Sequence, residues 1–433
     1  MEPQEDVRSD TRPDTQADLC LGEMIELRVG TVCAGGGFVA RAPDGRVVFV
    51  RHAIEGELVR AQITEVTRNY LRADAIEIME PSSDRVTPPC EFSGPGRCGG
   101  CDYQHLALSA QRRVKADRIE EQLSRLAGLS RRVVVEPVPG DREGLAWRTR
   151  VGYGVNPEGI VGLHRYRSHD LEPITHCLLA TPEVTEIGVE EEHWPGVREI
   201  NAFSAPDGKS KVLDLDTGRR PIAAVPRMEA DLVINREVHI GRGRVAVEVL
   251  GRRYTISPGV FWQVHPGAPA TLASAVLEGA GEIGGARVLD LYCGAGLFSA
   301  LLGRAVGSAG EVIGIERDRR ACSDARHNTA DLSMVSVMEA SVTAATITSL
   351  GQPPTVAVLD PAREGAGAAV ISALCQMAPA LQRIVYVSCD PATFARDVAT
   401  ATSLGWELGS LRAFDLFPMT EHVELVGVLT PKD

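Results

Sequence analysis

Three observations on the sequence predict a doubly wound α/β domain at the C-terminal end, preceded by a β-rich central region and a small N-terminal β-barrel. From Gly259 onward, short apolar runs alternate with helical patterns, the texture of a parallel sheet covered on both faces. Between Gly22 and Met79 the apolar pattern is short and alternating, with turns at Gly35-Gly36-Gly37 and Asp44-Gly45. The stretch between these two textures is β-rich and carries a cysteine-bearing Gly/Pro loop. The partition that follows is a tail at 1–20, a barrel at 21–80, a central domain at 81–258 and the α/β domain at 259–433.

The chain has 433 residues, enough for several cores, with 44% hydrophobic and 24% charged residues, as in ordinary globular proteins. A net charge of −13 excludes a global basic footprint, so any nucleic-acid surface must be a local patch. No apolar run reaches the length of a membrane span, and no export signal opens the sequence. The 10 cysteines do not form a small disulfide framework in a chain this long. A reducing cytoplasm is therefore the expected setting. The polar, mostly acidic first residues read as a disordered tail.

Strands are expected at Ile25 to Val29, Arg46 to Val50, Leu58 to Ile63 and Ala73 to Ile78, which suits a five-stranded barrel of the OB type. Arg51, His52, Arg60, Arg68 and Arg72 could give it a basic face; scattered surface arginines on a plain barrel are the equal alternative. After a proline-bearing linker, Cys90 is followed by Cys98-Gly99-Gly100-Cys101 across a Gly/Pro loop. That is metal-ligand spacing, with Cys177 the candidate fourth ligand. Four thiolates fit an iron–sulfur cluster or zinc. Leu106 to about Arg132 reads as a basic helix, its cations solvated or lying along a phosphate backbone.

In the α/β region, Val288-Leu289-Asp290-Leu291 is a buried strand running into Tyr292-Cys293-Gly294-Ala295-Gly296 and a helix. Glycines at such a turn let a nucleotide-bearing ligand approach backbone N–H groups at the helix N-terminus. Glu316 ends the next strand, about 20 residues on, where a carboxylate binds ribose hydroxyls. Ser299 stands where a nicotinamide site prefers a third glycine, and Asp290 ahead of the turn suits S-adenosylmethionine better. Cys293 reads as packing. Asp360 ends another strand, and Cys389 lies between the strand run Ile384 to Ser388 and a helix opened by Asp390-Pro391. Both should face one crevice at the carboxyl ends of the strands. Alone, Cys389 would be read as a small buried hydrophobe. Glu424, interrupting a final apolar strand, would alone be an edge carboxylate.

Together these residues resemble the S-adenosylmethionine-dependent RNA uracil-5-methyltransferases. The matching motifs are Phe261-Trp262-Gln263-Val264, Asp290 to Gly296, Asp360-Pro361-Ala362-Arg363, Ser388-Cys389-Asp390-Pro391 and His422-Val423-Glu424. The resemblance implies an N-terminal TRAM barrel, a central domain with a [4Fe-4S] cluster and a Rossmann-like methyltransferase domain. It makes Cys389 the nucleophile and Glu424 the base. Gln263, Tyr292, Gly294, Gly296, Glu316 and Asp360 would hold the cofactor and pyrimidine, and Cys90, Cys98, Cys101 and Cys177 the cluster, with zinc the alternative. The implied partner is RNA, ribosomal ahead of transfer RNA, with no obligate protein partner. His265, Leu297 and Ser341 depart from the family pattern near the cofactor. The competing readings are RNA cytosine-5 methylation, whose relatives carry a second cysteine beside the proline motif, and a non-catalytic RNA-binding or ribosome-assembly factor, which needs neither Cys389 nor Glu424.

Overall fold

The computed structural model describes residues 19–218 and 225–432; the tail expected at 1–20 lies, but for its last two residues, outside them. The described residues divide into two compact units, 19–33 with 37–83, and 34–36 with 84–432. None of their helices is long and apolar enough to cross a membrane.

The first unit is a five-stranded sheet in the order Met24–Arg28, Leu58–Val66, Tyr70–Glu80, Val47–Arg51 and Phe38–Arg41. Strict alternation along Met24–Arg28 sends Ile25 and Leu27 inward beside Val48, Val50, Val59 and Leu71. The four-residue strand Phe38–Arg41 has too few residues for its period to be read from the sequence. Two of the residues expected to form a basic face here are paired with carboxylates and one is buried. Arg60 pairs with Glu26 and Glu77, Arg72 pairs with Glu65 and lies over Phe49 and Tyr70, and Arg51 is buried.

The second unit carries a seven-stranded mainly antiparallel sheet between residues 150 and 240 and an eight-stranded mixed sheet. Five strands of the latter are parallel, in the order Val335–Glu339, Glu311–Glu316, Arg287–Leu291, Val356–Leu359 and Arg383–Ser388. The apolar runs of the inner strands reflect burial on both faces, all four residues of Val356–Leu359 being buried, whereas the edge strand Val335–Glu339 has no buried residue. Glu424–Pro431 then adds antiparallel, followed by Trp406–Asp415 and the short Val135–Pro137. Strand order reverses beside Arg287–Leu291, which opens a crevice at the carboxyl ends.

Helix Leu108–Ala127 and strand Val135–Pro137, expected in the central domain, pack on the α/β sheet, the strand pairing with Trp406–Asp415. The helix stops at Ala127, not near Arg132, because Gly128 takes a left-handed conformation (φ 66°), its N–H donating to the Ser124 carbonyl and the Leu129 N–H to the Leu123 carbonyl. Its cations are not simply solvated: Lys115 and Arg118 are buried against the C-terminal segment.

Candidate active site

Cys389 follows directly on strand Arg383–Ser388, and Asp390 starts helix Pro391–Ser403 by accepting the Thr393 N–H at 2.8 Å. Strand Glu424–Pro431 runs antiparallel beside it with Ser388 opposite Leu425. One step further along that register sets Cys389 beside Glu424. On the other side Leu359 is level with Tyr386, and the Asp360 N–H donates to the Leu291 carbonyl at 3.2 Å. Asp360 therefore stands at the crevice between the nucleotide-type turn and Cys389. Glu424 and Asp360 both act electrostatically on the Cys389 thiol, so the three groups are neighbours at this end of the sheet.

Burial sets the electrostatics. Glu424 is 3% exposed, and its carboxyl is held well above the usual range by loss of solvent and then by Asp360. Burial, followed by Asp290, raises Asp360 as well. The Cys389 thiol is pushed up to about 12 by desolvation, then by Glu424 and Asp360, with Arg363 opposing. The crevice by itself thus favours the protonated forms of all three groups. Arg363 donates to His422 Nε2 at 3.1 Å, and burial together with that guanidinium keeps the imidazole neutral by lowering its pKa.

The glycine turn has two distinct halves. A Cβ at Gly294 would stand in open space, so that side of the turn faces room for a ligand. A Cβ at Gly296 would press on Ala325 Cα at 3.1 Å, so Gly296 (φ 84°) is needed to seat helix Leu297–Val306 against Arg319–Asn328. Tyr292, itself at φ 65°, and Cys293 donate their N–H groups to the Ile315 carbonyl, fixing the turn beside Glu316. Glu316 accepts N–H groups of Gly294, Arg317 and Asp318 at 3.1, 2.7 and 2.8 Å, which orients its carboxylate at the strand end. Asp290 is fully buried below, bonded to Ser299 through one oxygen and without a partner on the other. Cys293 is buried, with room beside Gly314 for its sulfur, as the packing reading expects.

Gln263 is buried on the segment leading into helix Ala268–Ala280; that segment is tied down by Thr149, whose N–H and hydroxyl both donate to Val264. Phe261 of the same motif is 66% exposed. His265, one of the departures from the family pattern, stacks on Trp147 and accepts the Gly267 N–H.

Residues that the motifs did not single out hold the site in shape. Tyr386 donates to Asp397 at 2.6 Å, and Asp397 also accepts the Ala366 and Gly367 N–H groups, pinning the loop that carries Arg363. Arg118 donates to Glu421 at 2.8 Å and lies 4.0 Å from Asp390. Lys115 bonds Asp415 at 2.6 Å and the Phe417 carbonyl at 3.0 Å. Helix Leu108–Ala127 therefore grips the segment entering Glu424 and reaches the residue after Cys389. Their sequence signal was only helical spacing of cations, which solvated faces share.

Away from the crevice, Cys90, Cys98, Cys101 and Cys177 line one small pocket with Phe92, Leu163 and Ile174. All four are free thiols. Burial raises Cys90 and Cys98 and takes Cys101 up to about 12. Gln104 donates to Cys101 Sγ at 3.1 Å and the Gly100 N–H to Cys98 Sγ at 3.5 Å. Among the described residues no three His, Cys, Asp or Glu side chains are arranged to hold a metal ion as they stand.

Comparison with known proteins gives family matches at three places. The TRAM domain matches residues 18–76, the tRNA (Uracil-5-)-methyltransferase family residues 353–433, and protein-L-isoaspartate(D-aspartate) O-methyltransferase residues 261–344. An uncharacterized RNA methyltransferase of Streptomyces avermitilis is 44% identical over 433 residues, covering 95% of this chain and 99% of its own. One from Streptomyces coelicolor is 41% identical, covering 99% and 97%. The crystal structure of Pyrococcus abyssi tRNA (uracil-54, C5)-methyltransferase with S-adenosyl-L-homocysteine shares the fold, with a TM-score of 0.68 at 22% identity over 93% of this chain and 99% of that one.

Proposed function

The chain belongs to the S-adenosylmethionine-dependent RNA (uracil-5) methyltransferase family, and on that premise we propose that it methylates C5 of one uridine in ribosomal RNA through a covalent adduct on Cys389. The observation that carries this reading is the register setting Cys389 beside Glu424, with Asp360 on the adjoining strand.

C5 of uracil is too weak a nucleophile to take a methyl group unaided. Cys389 first loses its proton to solvent, and its thiolate adds to C6, making C5 an enolate carbon. S-adenosylmethionine supplies an electrophilic methyl group on a positively charged sulfur. C5 forms its bond to that methyl carbon as the sulfur–methyl bond breaks. Glu424, as carboxylate, then removes the C5 proton while the C6–sulfur bond breaks, returning the thiolate and the aromatic ring. A carboxylate with a high proton affinity is a strong base once ionised. A cation in the crevice would favour the ionised forms of Glu424 and Cys389, which burial and the neighbouring acids oppose. Gln263 would donate to the pyrimidine oxygen as charge develops. The methyl donor would rest on Gly294 and Gly296, with Glu316 on its ribose and Tyr292 and Asp360 along its length. The target uridine must leave its stack to reach this depth.

The four cysteines suit a soft cluster: they are thiols, gathered round one apolar pocket, and two receive N–H donors at sulfur. We assign them to a [4Fe-4S] cluster, zinc being the alternative, with the thiols turning inward on their glycine loop to bind it.

Transfer RNA is the second reading, since the Pyrococcus abyssi protein of like fold acts on tRNA. Both are tested by incubating the protein and methyl donor with ribosomal and transfer RNA lacking 5-methyluridine, then digesting and measuring nucleosides. 5-Methyluridine in the ribosomal fraction is expected. Its appearance in tRNA alone moves the substrate; 5-methylcytidine or no product overturns the reaction.

A further inference from the structure

On the other end of helix Arg319–Asn328 from the crevice lies a groove of about 830 Å³. Its cations are Lys209, Lys211, Arg242, Arg244 and Arg253, contributed by two sheet turns and the hairpin Val245–Val249/Arg252–Ile256, with His327 of that helix also lining it. Facing them are Glu229 and Asp231. Asp231 is occupied, accepting the Arg242 and Gly243 N–H groups at 2.7 and 2.9 Å. A Cβ at Gly241 would overlap that carboxylate, so the turn presenting the arginines is held in one shape. Lys209 and Lys211 pair with Asp207 and Glu186. Arg242, Arg244 and Arg253 are exposed and form no ion pair among the described residues.

In a chain of net charge −13, three unpaired arginines in one groove are a local reversal of sign. The groove is also rigid. Asn328 bonds both backbone groups of Thr255 at 2.8 and 3.1 Å, Arg252 pairs with Asp331, and the Ser257 N–H donates to Asp324 at 2.7 Å. The hairpin is thus fixed to the helix whose other end follows Glu316. The helix has 10 residues, so the groove lies on the order of 15 Å along from the crevice rim. Guanidinium forks on a fixed floor match phosphate oxygens.

We infer that this groove binds the RNA backbone, holding phosphates that flank the target uridine by a few nucleotides. The inference rests on RNA as substrate and is independent of which groups perform the chemistry. The test is the salt dependence of binding to a fluorescein-labelled hairpin RNA of mixed sequence, followed by anisotropy between about 50 and about 200 mM salt. Replacing Arg242, Arg244 and Arg253 together by Gln should weaken binding and reduce the slope of log affinity against log salt by about 2, since each lost contact removes about 0.7. S-adenosyl-L-homocysteine binding and the melting temperature should not change, and three Lys replacements should restore the slope. Should the triple Gln protein melt early, each single Gln variant is expected to lower the slope by about 0.7. An unchanged slope overturns the groove. If the Gln variant keeps the wild-type slope while wild type forms 5-methyluridine, the groove fails and the reaction stands. If the slope falls while wild type forms none, the reaction fails and the groove stands.

Discussion

Cys389 illustrates how far single residues could be read. As a lone cysteine it is indistinguishable from core packing, and Cys293, Cys322 and Cys375 are indeed buried. What separates it is its position at a strand end, which the short run before it and the Asp390-Pro391 helix start make legible. By its local pattern Glu424 was legible only as a charged residue in an apolar strand, and its expected role came from the His422-Val423-Glu424 resemblance, because its partner in the register is fixed by antiparallel pairing that no local pattern encodes. Asp290 carries a consequence for stability. Burial holds its carboxyl up to about 7, against 3.8 for the free group, so the folded chain keeps a proton that the unfolded chain releases between about pH 4 and 7. Stability from this group is therefore present below about pH 4 and lost as pH rises toward 7. Asp290→Asn, measured by urea unfolding, should match wild type near pH 4 and exceed it by about 2 kcal/mol or more at pH 8. A variant less stable than wild type at pH 8 would contradict this account of the buried acid.

At the scale of elements, the inner parallel strands were evident from continuous apolar runs, the edge strand Val335–Glu339 was not, and the turn into helix Leu297–Val306 was evident from its glycines. Strand Val135–Pro137 was not, since three residues pairing on a sheet edge leave no period. Nor was the inward face of helix Leu108–Ala127 readable, because Lys115 meets Asp415 across a separation of 300 residues. This pair is fully enclosed, where breaking one partner typically costs about 3–5 kcal/mol. Arg118, by contrast, joins Glu421 to the neighbourhood of Asp390 at the crevice itself. On the proposed mechanism it would position both Glu424 and Cys389 through these neighbours. Arg118→Gln is predicted to lower kcat about tenfold, roughly 1.4 kcal/mol in the barrier, with KM for the methyl donor nearly unchanged. Arg118→Lys should recover part of the loss. A rise in KM with unaltered kcat would instead make Arg118 a substrate-binding group.

Across the whole molecule, the two activities asked of the chain fall on different surfaces. On the proposed reaction methyl transfer needs a crevice whose burial raises the thiol and carboxyls, whereas RNA needs exposed positive charge that a net −13 chain must concentrate locally. On the N-terminal sheet Arg60 and Arg72 are paired with carboxylates, whereas Arg242, Arg244 and Arg253 of the groove form no ion pair among the described residues. Motif order made the overall division legible, but charge placement depends on which acids fold beside which bases. The four-cysteine pocket makes its own prediction: protein purified without oxygen should be brown and bleach on exposure to air. Colourless protein carrying one equivalent of zinc would identify the other metal. The central claim, that Cys389 and Glu424 act in sequence on one uridine, is tested most directly by trapping. Glu424→Gln, incubated with methyl donor and ribosomal RNA, should accumulate a denaturation-stable protein–RNA adduct that Cys389→Ala/Glu424→Gln does not form. Absence of the adduct in the single variant, or its persistence in the double variant, would contradict the mechanism.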